Sequence, residues 1–345
     1  MGRLEGRPTH EPFQESSEPG EHVGRYLIRR TLFGFLVLVV VSLFTFIVFV
    51  KLPTQDPAIR LAGKHPSPQE LALIRHNLGL DRPVWVQYWH FARGLIPWPG
   101  FFLDPRVYYS WYNTIPVRTE IVQRFPITLT LTIGATILWL LMGIPIGIVS
   151  AIKRGSAMDR SAMVLALIGV SAPIFWLSLV LLYVFHFALH IAPPPGIPAG
   201  EPLWKAIMSG VFVLPWISLA VTNAAFYSRM VRGNLLETMS EDYIRTARAK
   251  GITERRVIYK HGLRGALTPV VTMLGLDVAF LLGGAIITES VFQLPGLGQY
   301  ALNSLYSDDF PAVMGVTIVG AFFIVVANLV VDVVYAFLDP RVRYT

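Results

Sequence analysis

YIRTARAKGITERRVIYKHGLRGAL, residues 243–267, is a basic, polar run set between two segments apolar enough to span a bilayer, 206–226 and 266–287. Membrane proteins hold such runs in the cytosol, where Lys and Arg accumulate. A two-helix hairpin is legible inside it. Ser240 is placed to cap a helix whose first turn holds Glu241 and Asp242, both favourable at the positive end of the dipole, while Arg248 and Lys250 suit its last turn. Gly251 then supplies the left-handed position that ends a helix. Tyr243, Ile244, Ala247 and Gly251 fall on one face, a narrow apolar stripe flanked by basic residues. Thr253 caps a second helix running to His261 and Leu263. So short a helix is marginal alone in water; its face must pack on neighbouring loops or dock in a groove of a separate cytosolic subunit.

The rest of the chain asks for lipid. Of 345 residues, 53% are hydrophobic and 15% charged, and the mean hydropathy is +0.53, too apolar for a soluble domain of this length. The net charge of +7 sits in short loops beside apolar spans, which argues for topology and against nucleic acid. No cysteine is present, so disulfides and thiolate chemistry are excluded. Residues 1–24 read as a disordered cytoplasmic tail. Six spans are expected at 27–50, 127–151, 161–189, 206–226, 266–287 and 312–338, the first a retained anchor. The domains are then 25–50, a first transmembrane helix; 51–126, an extracytoplasmic cap; 127–338, a core of five spans with a cytoplasmic loop at 227–265; and 339–345, a cytoplasmic end. The short loops on one face hold most of the Lys and Arg, nine of them in 227–265 and none in 289–311, which puts both termini in the cytosol.

In the cap, Ser67 and Pro68 suit the N-cap and first position of a short helix ending near Gly79. Trp85, Tyr88, Trp89, Trp98, Tyr108, Tyr109, Trp111 and Tyr112 suit an interfacial belt and cap packing better than a ligand cage. Within the spans, Asp277 must face a cavity or a partner; a structural hydrogen bond is expected, and a place on a solute pathway is the alternative. Asn328 and Asp332, at i and i+4, are expected to anchor loop arginines. His186 and His190 share that spacing without a third metal ligand, so no metal is assigned. Gly143 and Gly147 around Pro145 suit close packing with a kink. The turn QLPGLGQ, 293–299, has the chemistry of a rigid reversal, and no phosphate loop, HExxH or GxSxG appears.

The loop resembles the EAA loop of ABC-importer permeases. Arg245, Thr246 and Ala247 stand at the triplet, Gly251 and Leu263 match the pattern, and His261 and Arg264 replace its isoleucine and proline. RTARAKG is similar to the version in the B-type subunits of dipeptide and oligopeptide importers. RYLIRRTL, LPTQDP, NLGLDRPVWVQY, RFPITLTL, AIKRGSAMDR, ITESVFQLPGLGQ and DPRVRY carry that resemblance from Tyr26 onward. The chain departs from it in the extension before Gly24 and at 96–111, where the family has a Gly-Asp-x-Gly turn.

The resemblance implies an all-α integral membrane protein of six transmembrane helices, with the type I ABC importer permease fold. It implies a second, C-type permease, two ATP-binding subunits that hold ATP and magnesium, an extracytoplasmic binding protein, and no cofactor on this chain. Ser240, Glu241, Asp242, Tyr243, Ile244, Arg245, Thr246, Ala247, Arg248, Ala249, Lys250 and Gly251 become the ATPase-coupling helix. Glu289, Pro295, Gly296 and Gly298 fall beside the external gate. Peptide is the expected cargo, with nickel chelates, glutathione or another small solute as alternatives. An ion-coupled secondary transporter, the alternative of another class, would carry more acids in its spans than Asp277.

Overall fold

A computed structural model describes residues 19–52, 57–62, 66–77, 79–95 and 108–338. The expected tail up to residue 18, Trp98 with most of 96–111, and residues 339–345 lie outside them. Helix α1 (Pro19–Phe46) starts before the tail was expected to end, and its final turn widens into a π-helix, Ile47–Lys51.

The cap holds α2 (Pro57–Ala62), α3 (Pro68–Asn77) and α4 (Val84–Arg93). Ser67 and Glu70 close the start of α3 reciprocally. The Ser67 N–H donates to Glu70 Oε2 at 2.9 Å, and the Glu70 N–H donates to Ser67 Oγ at 3.2 Å. Gly79 leaves the helix with φ of 65°, where a left-handed turn favours glycine. Helix α4 was not expected. Its Tyr88 and Phe91 rings each lie 5.6 Å from Phe46 and so hold the cap on the end of α1. Tyr108 is buried beside Phe91, and Trp111 meets Phe310 edge-on, whereas Trp85, Trp89 and Tyr112 are exposed. The aromatics thus divide between cap packing and an exposed fringe. Buried Asp309 fastens the same region, accepting from the Ser110 hydroxyl and the Trp111 N–H.

Helix α5 (Val117–Ile152) begins ten residues before the expected span and runs unbroken through Pro126 and Pro145. At 1.5 Å per residue it reaches roughly 54 Å, well beyond a hydrocarbon core of about 30 Å. Helices α6 (Ala157–Ser171) and α7 (Ile174–Leu182, extended by the π-helix Tyr183–Ala188) form one pair bent by 97°. Pro173 marks the break, because it lacks an N–H and turns the preceding residue extended.

The fourth expected span, 206–226, is corrected. A short α8 (Leu203–Met208) ends before Gly210, and α9 (Val213–Thr238) carries the chain on well into the expected loop. After the loop come α13 (Thr268–Leu282), α14 (Ile286–Val291), α15 (Leu297–Tyr306) and α16 (Phe310–Leu338), numbered to follow α10 to α12 of the loop itself.

Among the described residues, three helices are long and apolar enough to cross a membrane, or up to five if each bent pair counts as one. Helix α9 is not among them. It is wrapped by α5, α6, α7 and the short helix Leu263–Ala266, so much of its surface meets protein, and Asn223 and Ser228 are tolerated there. Helices α5 and α9 run parallel, their contacts advancing together from Gly134 on Trp216, through Gly143 on Ala224 and Tyr227, to Gly147 on Ser228 and Val231. A Cβ at Gly147 would stand 2.6 Å from the Ser228 carbonyl oxygen, so only glycine permits this approach. The expected close-packing face is therefore real. Helix α1 lies antiparallel to α16, closed at one end by Arg30 on Asp332 at 3.0 Å and at the other by Phe49 on Phe310. Asp332 thus anchors an arginine of a neighbouring helix, where a loop arginine was expected.

Candidate functional site

Two clusters, at opposite ends of the α5–α9 pair, carry the chemistry. At the loop end, α9 passes through Met239 into α10 (Asp242–Ala249); α11 (Glu254–Arg256), a π-helix (Val257–Gly262) and α12 (Leu263–Ala266) then lead back to α13. Gly251 turns with φ of 73°, and Thr253 is the N-cap of the second helix, both as expected. Ser240 is not the cap. Its hydroxyl donates back to the Glu237 carbonyl at 2.6 Å, and Glu241 takes the cap position instead.

The apolar face is narrower than its sequence pattern. Ile244 and Ala247 are buried with Val257 against Met239 and Ile252, whereas Tyr243 is 48% exposed and Gly251 lies at the surface. The hairpin thus satisfies that face within the chain. What α10 leaves in solvent is the opposite side, Arg245, Thr246, Ala249 and Lys250. Arg248 clasps Glu254 across the turn with bonds of 3.1 and 2.7 Å. That guanidinium holds the Glu254 carboxyl below its ordinary range. The clasp is therefore whole above ordinary glutamate values and is lost as pH falls through the depressed one.

One helical turn further into the bundle, Asp159 ties three elements together. It accepts from Ser150 of α5, from the Gly155 N–H at 2.8 Å, and from Arg232 of α9 through two bonds of 2.7 and 2.9 Å. Such a bidentate pair fixes orientation as well as distance. Deeper still, the Tyr227 hydroxyl donates to Asp277 Oδ2 at 2.7 Å, the structural hydrogen bond expected of an intramembrane acid.

The second cluster is the turn between α14 and α15. Glu289 is fully buried; its Oε1 accepts from Thr128 of α5 at 3.0 Å and from the Ala285 N–H at 3.3 Å, and its Oε2 from the Gln299 N–H at 2.8 Å. Thr128 Oγ1 in turn accepts from the Leu297 N–H at 2.8 Å. Pro295 and Gly296 bring the backbone over this carboxylate, and Gly298 lies against Gly284 so tightly that a Cβ on Gly284 would sit 2.6 Å from its Cα. Glu289, Pro295, Gly296 and Gly298 are thus brought together, and Asp277 stands apart from them. Sequence reasoning named Glu289 but missed Thr128, and missed Asp159 and Arg232 altogether; Asp159 lies in the quoted AIKRGSAMDR, which was the available signal.

Among the described residues, no three His, Cys, Asp or Glu side chains converge on a metal-sized site. His186 Nδ1 is spent within 3.0 Å of the Ala192 carbonyl.

Comparison with known proteins decides what this bundle is. Residues 143–344 match the family described as binding-protein-dependent transport system inner membrane component, and residues 23–132 match the N-terminal family of the same membrane components. The chain belongs to that permease family. It is 39% identical over 319 residues to the glutathione transport system permease protein GsiC of Salmonella typhimurium (strain LT2), covering 92% of this chain and 99% of the relative. The GsiC of Escherichia coli (strain K12) is 38% identical over the same length. A solved structure of the MetNI methionine ABC transporter in inward-facing conformations superposes with a TM-score of 0.52 at 21% identity, covering 65% of this chain and 98% of that one.

The permease is thus a membrane subunit of a bacterial ABC importer, with that importer fold. It is not an ATPase; hydrolysis belongs to separate subunits of the complex.

Proposed function

We propose that the permease forms, with a second and homologous C-type permease, the path of an importer for small peptides, both termini lying in the cytosol of a bacterial inner membrane. Two ATP-binding subunits, holding ATP and magnesium, dock on the loop, and an extracytoplasmic binding protein delivers cargo to the cap. The chain itself holds no cofactor. The observation that carries this reading is the hairpin of α10 and its return helices. Its apolar face is consumed internally, so it is a rigid body that presents Arg245, Thr246, Ala249 and Lys250 outward. A rigid, surface-presented helix is what a partner must push for hydrolysis to move spans.

Peptide cargo rests on the resemblance to peptide permeases, whereas the GsiC relatives support the alternative cargo, glutathione, itself a γ-linked tripeptide. Reconstitution with the cognate subunits and uptake of labelled dipeptides and of labelled glutathione separates the two; transport of glutathione without dipeptides, or of neither, would overturn the peptide reading.

Ala247→Glu would force a charge into the buried cluster, and Gly251→Pro cannot adopt φ of 73°. Each is expected to lower uptake about tenfold while the complex still hydrolyses ATP, the size of a usual coupling free energy. Uptake per ATP measured in proteoliposomes reads this, and unchanged coupling in both variants would remove the assignment. Asp277, bound to Tyr227 through one oxygen, keeps the other for a peptide's amino group. Asp277→Asn should then raise KM for free peptides roughly tenfold, the loss of one charge-assisted hydrogen bond, and leave N-acetylated peptides unaffected. Equal effects on both would assign Asp277 to structure alone.

A further inference from the structure

The return arm of the loop carries a charge cluster that neither the hairpin nor its clasp uses. Arg255, Arg256, Tyr259 and Lys260, together with Thr253, line an open cavity of about 550 Å³. On a helix these positions share a side, opposite the buried Val257, Gly262 and Ala266. Among the described residues none of the three cations makes an ion pair or hydrogen bond, whereas the neighbouring Arg248 and Arg245 are matched by Glu254 and Asp242. The tip of the hairpin is charge-compensated. The arm is not.

Its position relative to the membrane decides what it meets. The arm, Glu254–Ala266, bends by 47° into α13, whose helix starts at Thr268. Lys260 is eight residues before Thr268, so with α13 along the membrane normal it sits roughly 8 Å below the hydrocarbon edge, within or just beneath the headgroup layer. Arg256 lies one turn lower, within reach through its long side chain. Tyr259, 52% exposed between them, is the residue type that favours this boundary. A count of positive charge for topology needs none of this grouping.

We propose that Arg255, Arg256 and Lys260 form a binding site for the phosphate headgroup of an anionic phospholipid in the leaflet beside the loop, with Tyr259 at the boundary with its acyl region. The occupied site would fasten the return arm to the membrane. Force applied to α10 would then pass into α13 rather than swing the arm. This rests on the orientation proposed above, and a lipid readout separates the two, because cargo and coupling can fail without touching lipid retention.

The test uses the complete importer complex, purified and placed in nanodiscs of phosphatidylcholine with or without phosphatidylglycerol. Native mass spectrometry is expected to show phosphatidylglycerol retained by the wild-type complex. Its apparent affinity should fall about a hundredfold in the triple variant Arg255→Gln, Arg256→Gln, Lys260→Gln, from about fivefold per cation. The charge-preserving variant Arg255→Lys, Arg256→Lys, Lys260→Arg should keep it, which controls for folding. Phosphatidylglycerol should raise uptake in the wild type and not in the triple glutamine variant. Equal lipid retention by all three would overturn the proposal. So would loss of the ATP-binding subunits from the glutamine variant with lipid retention intact, which would give the surface to a protein partner. Displacement of the lipid by millimolar inorganic phosphate would equally overturn it, because a site for a free anion needs no membrane.

Discussion

Glu289→Ala is expected to be among the most damaging single substitutions in the chain. The Thr128 hydroxyl and the backbone N–H groups of Ala285 and Gln299 all end on this carboxylate in a place closed to water. Deleting it leaves three donors unsatisfied, each costing about 1–3 kcal/mol, so a loss of at least about 3 kcal/mol follows. Because the carboxylate spans from α5 to the α14–α15 turn, the damage is also positional. The turn loses its tie to the bundle. An apparent unfolding temperature lower by roughly 10 °C for the purified complex is expected, with uptake abolished. Glu289→Gln keeps the shape and one carbonyl oxygen but faces an N–H with an amide NH₂, so an intermediate loss is expected. If Ala and Gln behaved alike and mildly, the carboxylate would not be holding the turn.

Gly147→Leu is expected to separate α5 from α9. Even a Cβ there would lie 2.6 Å from the Ser228 carbonyl oxygen and 2.8 Å from Val231 Cβ, and neither backbone nor a β-branched side chain can step aside. Overpacking of this kind costs about 1–3 kcal/mol where the core can adjust, and the upper end applies to a contact between two helix backbones. The functional loss should exceed the stability loss, because Arg232 and Asp159 hold their bidentate geometry at the next turn of the same seam. Gly233 in α9, with open space where its Cβ would be, supplies the control: Gly233→Leu should express and transport normally. Comparing yield, thermal stability and uptake of the two leucine variants checks the point. Equal behaviour would mean that the parallel seam does not constrain the permease.

Local signals in the sequence were read reliably where the physics is local. Gly251 turns left-handed, Thr253 takes the N-cap position, the Ser67 hydroxyl caps α3, and Gly143 and Gly147 make a contact face, each decided by residues within a few positions of one another. Ser240 looked like a cap because its type is right, yet its hydroxyl is consumed by the end of α9, a helix whose overrun the apolar pattern could not show. Hydropathy marked where lipid is needed, and α9 continues polar because protein surrounds it. The ties that define the two clusters were illegible for another reason. Thr128 meets Glu289 across 161 positions and Arg232 meets Asp159 across 73, and in the cap Ser110 meets Asp309 across 199. No spacing rule reaches so far, and Thr128, one of several threonines in an apolar helix, gives no sign of its partner.

Helix α5 belongs to both clusters: Thr128 near one end shares the buried carboxylate of the α14–α15 turn, and Ser150 near the other shares Asp159. Twenty-two residues of unbroken helix separate them, roughly 33 Å. A helix is stiff along its axis and can be pulled as well as pushed, so α5 behaves as a connecting rod. An axial displacement at Ser150 would arrive at Thr128 at nearly full length, so the two clusters need no relay of loosely packed side chains to keep time with each other.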